Sequence, residues 1–178
     1  ASTGGPVAAS ALVSKLRADF SVPIVIVQHM PENFTRAFAE RLNKQAALQV
    51  KEAEQNDRLR PGSVYVAPGG HQLIFERNGT AINILDGDAR VNYKPSVDVT
   101  FGSAARVFGD AVLAVVMTGM GADGCDGARL LHRQGAAIWA QDEKTSVIYG
   151  MPMAVAKAQI TDEILPLQKM GDRLCEVT

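Results

Sequence analysis

Short runs of consecutive apolar residues recur along the chain. Three of them lie at 23–27 (PIVIV), 111–117 (AVLAVVM) and 136–140 (AAIWA). An apolar run without alternation, bounded by turn residues, is typical of a strand that is buried on both faces of a sheet. A fourth short strand is predicted at 63–70 (SVYVAPGG), where the run stops at a turn. The pattern thus predicts several short strands, most of them fully buried.

Helices are predicted between these strands. Pro6 suits the first turn of a helix that we expect to continue to about Ala18. The other predicted helices cover about 33–43, 96–108 with Ser96 as its cap, 125–133 and 151–158. The tail after Ile160 is expected to hold one more short strand or helix.

One segment has a different periodicity. Residues 71–85 alternate around Asn78-Gly79, which is the strongest short-range signal of a β-hairpin. Elsewhere strands alternate with helices, which predicts an α/β fold: a doubly wound, mostly parallel sheet with helices on both faces and an inserted β-hairpin. Functional sites in such sheets lie outside the carboxyl ends of the strands.

Composition narrows the functional classes. With 178 residues, 47% hydrophobic and 21% charged, the chain is expected to form one globular domain. A net charge of −1 predicts no general attraction to nucleic acid, and no apolar run approaches the ~20 residues of a membrane span. Cys125 and Cys175 have neither metal-like nor disulfide-like spacing, so we expect no metal and a reducing, cytoplasmic setting.

Three side chains capable of nucleophilic or acid–base chemistry lie at predicted strand ends. His29 follows the 23–27 strand, Asp123 follows the 111–117 strand, and Ser2 qualifies if a strand precedes it. A serine hydroxyl needs a base, commonly His, and that base needs an orienting acid. Ser2 also precedes a helix N-terminus, which favours negative charge, although Ser is common there simply as a cap. The arrangement predicts a Ser-His-Asp hydrolase site.

Other residues could take the role of base or nucleophile. His71 opens a hairpin strand and could serve as a loop hydrogen-bonding residue, while His132 lies on a predicted helix and is expected to face solvent. Cys125 is a possible nucleophile, but free cysteines are usually inert and buried. An N-terminal-nucleophile hydrolase would need Ser at position 1, which is Ala1.

Spacing indicates which histidine is the base more clearly than it indicates which aspartate is the orienting acid. Asp142 follows the 136–140 strand and competes with Asp123, whereas Asp98 and Asp126 are expected on helices.

A rival function, dinucleotide binding, is suggested by the same segment, because Gly119 to Gly124 spell G-x-G-x-x-G between a strand and a helix, as in a dinucleotide fingerprint. Against it, Asp123 would put a carboxylate where the pyrophosphate must lie.

Several motifs follow one another in a recognisable order. They are ASTGGP, VIVQHMP, VYVAPGGH, KPSVDVTF, MTGMGADG and QDEKTSVIYGMPMAV, and they cover nearly the whole chain. In this the sequence resembles the catalytic domain of the chemotaxis receptor protein-glutamate methylesterase family. The resemblance implies removal of methyl esters from glutamate side chains on methyl-accepting receptors, and deamidation of receptor glutamines, without cofactor or metal.

The resemblance also implies roles for individual residues. Ser2 would be the nucleophile, His29 the base and Asp123 the orienting acid, and the backbone N–H groups of Thr3 and Met120 would form the oxyanion hole. It implies a cytoplasmic two-component signalling protein, in which an upstream receiver domain is phosphorylated on Asp by a histidine kinase.

The opening of the chain departs from the family pattern. The strand before Ser2 and the receiver domain are not in this sequence, so we expect residues 1–178 to be a catalytic-domain fragment. A related domain that keeps the Ser-His-Asp set but serves another substrate or pathway is the alternative that the motifs leave open.

Overall fold

The computed structural model describes residues 1–178 and contains six α-helices and eight strands. The helices are α1 (Gly5–Val13), α2 (Thr35–Gln45), α3 (Val97–Phe108), α4 (Cys125–Arg133), α5 (Gly150–Lys157) and α6 (Leu167–Val177). The strands are β1 (Ile24–Ile26), β2 (Gln49–Glu52), β3 (Ser63–Val66), β4 (Gln72–Phe75), β5 (Ile82–Leu85), β6 (Leu113–Val116), β7 (Ala137–Gln141) and β8 (Glu163–Leu165). None of these helices is both long and apolar enough to span a membrane.

Two parallel three-stranded sheets form the centre of the fold, in the orders β1-β3-β2 and β6-β7-β8. The backbone of Ala1 and Ser2 runs between them. His29 N donates to Ala1 O at 3.0 Å on one side, and Ser2 N donates to Thr118 O at 2.9 Å on the other. The first two residues therefore connect the carboxyl ends of β1 and β6, where the sequence predicted a site.

Alternate residues of β7 show how the helices are distributed. Trp139 packs in a core cluster with α1, α2 and α6, whereas Ile138 and Ala140 pack in a second cluster with α3, α4 and α5. Because successive side chains of a strand point to opposite faces, the helices lie on both sides of β7, three in each cluster. This confirms the doubly wound α/β prediction.

The predicted hairpin is also present, with β4 and β5 pairing antiparallel across Asn78-Gly79. It docks on α3 through two hydrogen bonds, from Thr100 Oγ1 to Leu73 O at 2.7 Å and from Phe75 N to Ser103 Oγ at 2.9 Å. The hairpin thereby holds the first two turns of α3, the helix whose N-terminus contributes to the site described below.

Three features differ from the prediction. The first helix ends at Val13 and not near Ala18. Leu16 and Phe20 lie in the turns that follow, and because both are buried at helical spacing, the sequence there resembles a continued helix. Strand β2 was not predicted: of its four residues only Val50 is buried, so its sequence carries little apolar signal. The tail holds both a strand and a helix, β8 and α6, where one element was expected.

Candidate active site

Ser2 lies in a tight turn directly before α1. Gly5 N donates to Ser2 O at 2.8 Å, and the turn passes through Gly4, whose φ of 79° is a conformation that glycine adopts most readily. On its other side Ser2 packs against Gly119, where an added Cβ would lie 2.7 Å from Ser2 N. The Oγ of Ser2 makes no hydrogen bond within the chain, so the hydroxyl is free to interact with a bound molecule.

His29 lies beside this turn at the end of β1. Its Nε2 is 2.6 Å from Oδ2 of Asp123, and the two side chains are only 11% and 2% exposed. Since Asp123 occupies Nε2, the nitrogen that remains able to accept a proton is Nδ1. The backbone hydrogen bond from His29 to Ala1 places this imidazole on the segment next to Ser2.

Asp123 is held by the first turn of α3 as well as by His29. It accepts hydrogen bonds from Val97 N at 2.7 Å, Asp98 N at 2.9 Å and Ser96 Oγ at 3.1 Å. Burial alone would raise the pKa of Asp123, but the hydrogen bonds from His29 and from the α3 backbone outweigh it and hold that pKa below its usual value. The carboxylate is therefore kept ionised next to His29.

Asp98, in the first turn of α3, makes the reciprocal contact with the start of α4. Its Oδ1 accepts from Gly124 N at 2.9 Å and from Gly127 N at 2.8 Å, so each of α3 and α4 is capped by a carboxylate from the other's N-terminal region. Burial, together with the nearby negative charge of Asp123, raises the pKa of Asp98 despite these two hydrogen bonds. The pair of caps fixes Asp123 relative to α3.

This raised pKa gives a testable pH dependence. The folded state binds the Asp98 proton more tightly than the unfolded state, so the stability contributed by this group falls as pH rises through the raised pKa. Asp98→Asn keeps an oxygen for both glycine N–H groups but cannot ionise. We expect its free energy of unfolding to improve relative to the wild type as pH rises above about 4, the ordinary pKa of an aspartate side chain.

Urea unfolding at several pH values measures this difference. Asp98→Ala, which leaves both N–H groups without the acceptor, is the matched control and should lose about 1–3 kcal/mol of stability. A gap between Asp98→Asn and wild type that stays constant with pH would contradict the assignment.

The two backbone groups predicted for an oxyanion hole are also free. Neither Thr3 N nor Met120 N donates a hydrogen bond within the chain. Thr118 ties their segments together, because its Oγ1 donates to Thr3 O at 3.0 Å and accepts from Ile148 N at 3.0 Å. Both N–H groups are therefore available on loops that flank Ser2.

Asp142, the competing acid, is hydrogen-bonded within its own loop and not to His29. Oδ1 of Asp142 accepts from Thr145 N at 3.0 Å and from Thr145 Oγ1 at 2.6 Å, which closes a local turn. No hydrogen bond or ion pair joins Asp142 to His29, whereas Asp123 makes both. The geometry favours Asp123 over Asp142 as the partner of the imidazole.

The remaining candidates are away from this arrangement. His132 is exposed on α4, as predicted, and Asp126 is exposed on the same helix. Cys125 Sγ points to Ala154 O at 3.5 Å, in a packing contact between helices. His71 lies 3.8 Å from a carboxylate oxygen of Glu32 and 3.5 Å from one of Asp86, in a cluster of its own.

The G-x-G-x-x-G segment does not have the features of a nucleotide cradle. At the start of α4, where a pyrophosphate would have to lie, the N–H groups of Gly124 and Gly127 already bind the carboxylate of Asp98. No group of three or more His, Cys, Asp or Glu side chains is arranged to hold a metal ion either. The glycines serve close packing instead, as at Gly119 against Ser2.

Two residues near the site were not predicted. Tyr93 stacks on the His29 ring with centroids 4.1 Å apart, and the buried side chain of Gln72 donates to Tyr93 O at 2.6 Å. Tyr93 lies in the loop before α3 and Gln72 begins β4. No sequence spacing relates either residue to His29, because their contacts depend on how the hairpin docks.

The fold and these contacts define the class: a doubly wound α/β domain with a His29–Asp123 pair, and Ser2 on the adjoining backbone segment, at the carboxyl ends of its parallel strands. Comparison with known proteins then specifies the family. The family model described as CheB methylesterase matches residues 1–174. The chain belongs to the CheB methylesterase family, as the motifs predicted.

Individual relatives agree with this assignment. A protein-glutamate methylesterase/protein-glutamine glutaminase of Saccharophagus degradans is 62% identical over 174 residues, covering 98% of this chain and 48% of the relative. A similarly named protein of Vibrio cholerae is 57% identical over 175 residues, covering 97% and 46%. The chain spans about half the length of the curated relatives it matches.

A solved structure matches the fold closely. The crystal structure of the CheB methylesterase catalytic domain of Thermotoga maritima has a TM-score of 0.96 and 38% sequence identity, covering 99% of this chain and 95% of that one. The shared fold therefore extends over essentially all of residues 1–178.

Proposed function

We propose that this chain is the catalytic domain of a protein-glutamate methylesterase that hydrolyses glutamate methyl esters on chemotaxis receptors and deamidates receptor glutamines. The observation that carries the proposal is the 2.6 Å contact of His29 Nε2 with the buried Asp123, next to a Ser2 hydroxyl without a partner. The names of relatives at 57–62% identity support the same activity.

In the proposed reaction Ser2 Oγ attacks the carbonyl carbon of the glutamyl ester, and Nδ1 of His29 takes the hydroxyl proton. The tetrahedral intermediate collapses when the C–O bond to the methoxy group breaks, and His29 returns the proton to the departing methanol. Water then attacks the acyl-enzyme with His29 again as base, releasing the glutamate carboxyl and restoring Ser2. With a glutamine substrate the leaving group is ammonia.

Asp123 stabilises the imidazolium that forms during each proton transfer, and its hydrogen bond at Nε2 sets the tautomer that leaves Nδ1 free. The free N–H groups of Thr3 and Met120 would bind the developing oxyanion. A single donor of this kind contributes about 3–4 kcal/mol to transition-state stabilisation. No step needs a metal or a cofactor.

We place this domain within a longer, cytoplasmic signalling protein. Its relatives are about twice as long, which leaves room for a receiver domain that a histidine kinase phosphorylates on Asp. Under this proposal the receiver is the regulatory partner and the methyl-accepting receptor is the protein substrate.

Methanol release tests the activity. Receptor-containing membranes carrying radiolabelled methyl esters should release labelled methanol with the wild-type domain and not with buffer. Because the substrate is a side chain on a protein surface, recognition is expected to involve the loop 86–96 and the segment 141–151, whose residues 142–149 connect β7 to α5. We therefore expect the γ-methyl ester of N-acetylglutamate amide to have a much lower kcat/KM than methylated receptor.

Equal kcat/KM on the receptor and on the small ester would contradict the recognition by loops. Hydrolysis of the small ester without any release from receptor membranes would favour the alternative, a domain of this family with another protein substrate.

A further inference from the structure

The imidazole of His29 is covered on one face by an aromatic ring. The Tyr93 and His29 ring centroids are 4.1 Å apart and the ring planes differ by 6°, which is a parallel stack. Asp123 holds the ring only at its Nε2 edge. A single hydrogen bond leaves an imidazole able to tilt about that contact, and a flat surface against its face opposes this tilt.

The backbone around Tyr93 is fixed by a buried amide. Gln72, which is 2% exposed, donates from Nε2 to Tyr93 O at 2.6 Å and accepts at Oε1 from Ser96 N at 2.8 Å. Ser96 in turn donates from Oγ to Asp123 at 3.1 Å. One side chain therefore connects the residue that covers His29 with a residue that holds Asp123.

The Tyr93 ring also reaches the opposite loop. A side-chain carbon added at Gly121 would lie 3.2 Å from the Tyr93 hydroxyl, so the ring extends from His29 to the loop that carries Met120. Tyr93 lies in an irregular loop and is 38% exposed. Its contacts are with the site residues and not with the core clusters.

We infer that Tyr93 is a positioning residue, which holds the imidazole of His29 in the plane that joins Asp123 to Ser2. The inference rests on the proposed function, because it assigns Tyr93 a part in activating the proposed nucleophile. Its ring, and not its hydroxyl, carries the role, since that hydroxyl makes no hydrogen bond within the chain.

Activation of Ser2 can be measured without a receptor. A fluorophosphonate probe reports it directly, because Ser2 Oγ attacks phosphorus, fluoride leaves and His29 takes the hydroxyl proton. We expect Tyr93→Leu to lower the labelling rate about tenfold or more, which corresponds to about 1.4 kcal/mol, and Tyr93→Phe to stay within about twofold of wild type. Phe34→Leu is the matched control: Phe34 is 62% exposed in the loop after His29 but does not stack on it, so its rate should not change.

A second measurement follows the imidazole itself. The proton between His29 Nε2 and Asp123 should give a slowly exchanging downfield signal in the proton NMR spectrum of wild type. We expect its exchange with water to accelerate several-fold in Tyr93→Leu and to stay near wild type in Tyr93→Phe and Phe34→Leu. A merely structural role would leave this signal unchanged in a folded variant.

The outcomes separate the alternatives. Unchanged labelling and unchanged proton exchange in Tyr93→Leu would overturn the inference. Slower turnover of receptor with wild-type labelling would instead make Tyr93 a substrate contact, which also overturns it. Failure of the probe to label wild-type Ser2 would contradict the proposed function, and the NMR comparison would still decide whether Tyr93 positions His29.

Discussion

Ser2→Ala is expected to abolish ester hydrolysis and leave the fold intact. Removing the hydroxyl removes the atom that forms the acyl-enzyme, and water held in its place lacks that covalent route. Removing a serine nucleophile costs a serine protease on the order of 10⁶ in turnover. We expect a loss on the order of 10⁴ or more here, measured as methanol release from methylated receptor membranes.

Stability should change little in this variant. Ser2 Oγ has no hydrogen-bond partner in the chain, so its loss leaves no buried donor or acceptor unsatisfied. Ser14→Ala is the matched control, because Ser14 is an exposed serine after α1 whose hydroxyl makes one 3.3 Å contact. A folded Ser2→Ala protein that retains wild-type turnover would show that another residue attacks the ester.

The fold was predictable wherever one physical signal dominated. Buried parallel strands such as β6 and β7 carry near-continuous apolar sequences, and the hairpin carries Asn78-Gly79. Strand β2 was missed because a strand with one buried residue in four resembles a polar loop. The predicted end of α1 was wrong because the buried Leu16 and Phe20 keep helical spacing although the backbone there forms turns.

The site was predictable to the extent that topology alone gathers residues. Strand ends in a parallel sheet meet at one edge, which was enough to propose His29 as the base and to leave Asp123 and Asp142 as competing acids. The family resemblance favoured Asp123, and the structure brings His29 and Asp123 into contact. The capping of Asp123 by α3 could not be predicted, because it depends on the angle at which that helix meets the sheet. The stacking of Tyr93 depends in the same way on the packing of a loop. The catalytic roles themselves stay predictions until variants are assayed.

Asp123→Asn and Asp142→Asn decide which carboxylate is the orienting acid. Both oxygens of Asp123 accept two hydrogen bonds: Oδ2 from His29 Nε2 and Val97 N, and Oδ1 from Ser96 Oγ and Asp98 N. Asparagine has only one acceptor oxygen, so its NH₂ group must face donors on one side whichever way it is turned. The change therefore disturbs either the His29 contact or the cap of α3.

The effect on catalysis follows from the His29 contact. If the amide N–H faces Nε2, the imidazole carries its proton on Nδ1 and can no longer accept the Ser2 proton there. In a serine protease the corresponding change costs about 10⁴ in turnover, or roughly 5 kcal/mol. We expect Asp123→Asn to lose on the order of 10² or more in kcat, and about 1–3 kcal/mol in unfolding free energy, from the donors left facing the amide.

Asp142→Asn is the internal control, because the same chemical change there should cost little. Only Oδ1 of Asp142 is engaged, by the backbone N–H and the hydroxyl of Thr145, and an asparagine Oδ1 can accept both bonds. We expect less than about a tenfold loss in kcat and a stability within about 0.5 kcal/mol of wild type. Both variants should be assayed on methylated receptor, with circular dichroism to verify folding. If Asp142→Asn were the crippled variant, the acid would be misassigned, and the contact of Asp123 with His29 would have to serve the packing of α3 and not the reaction.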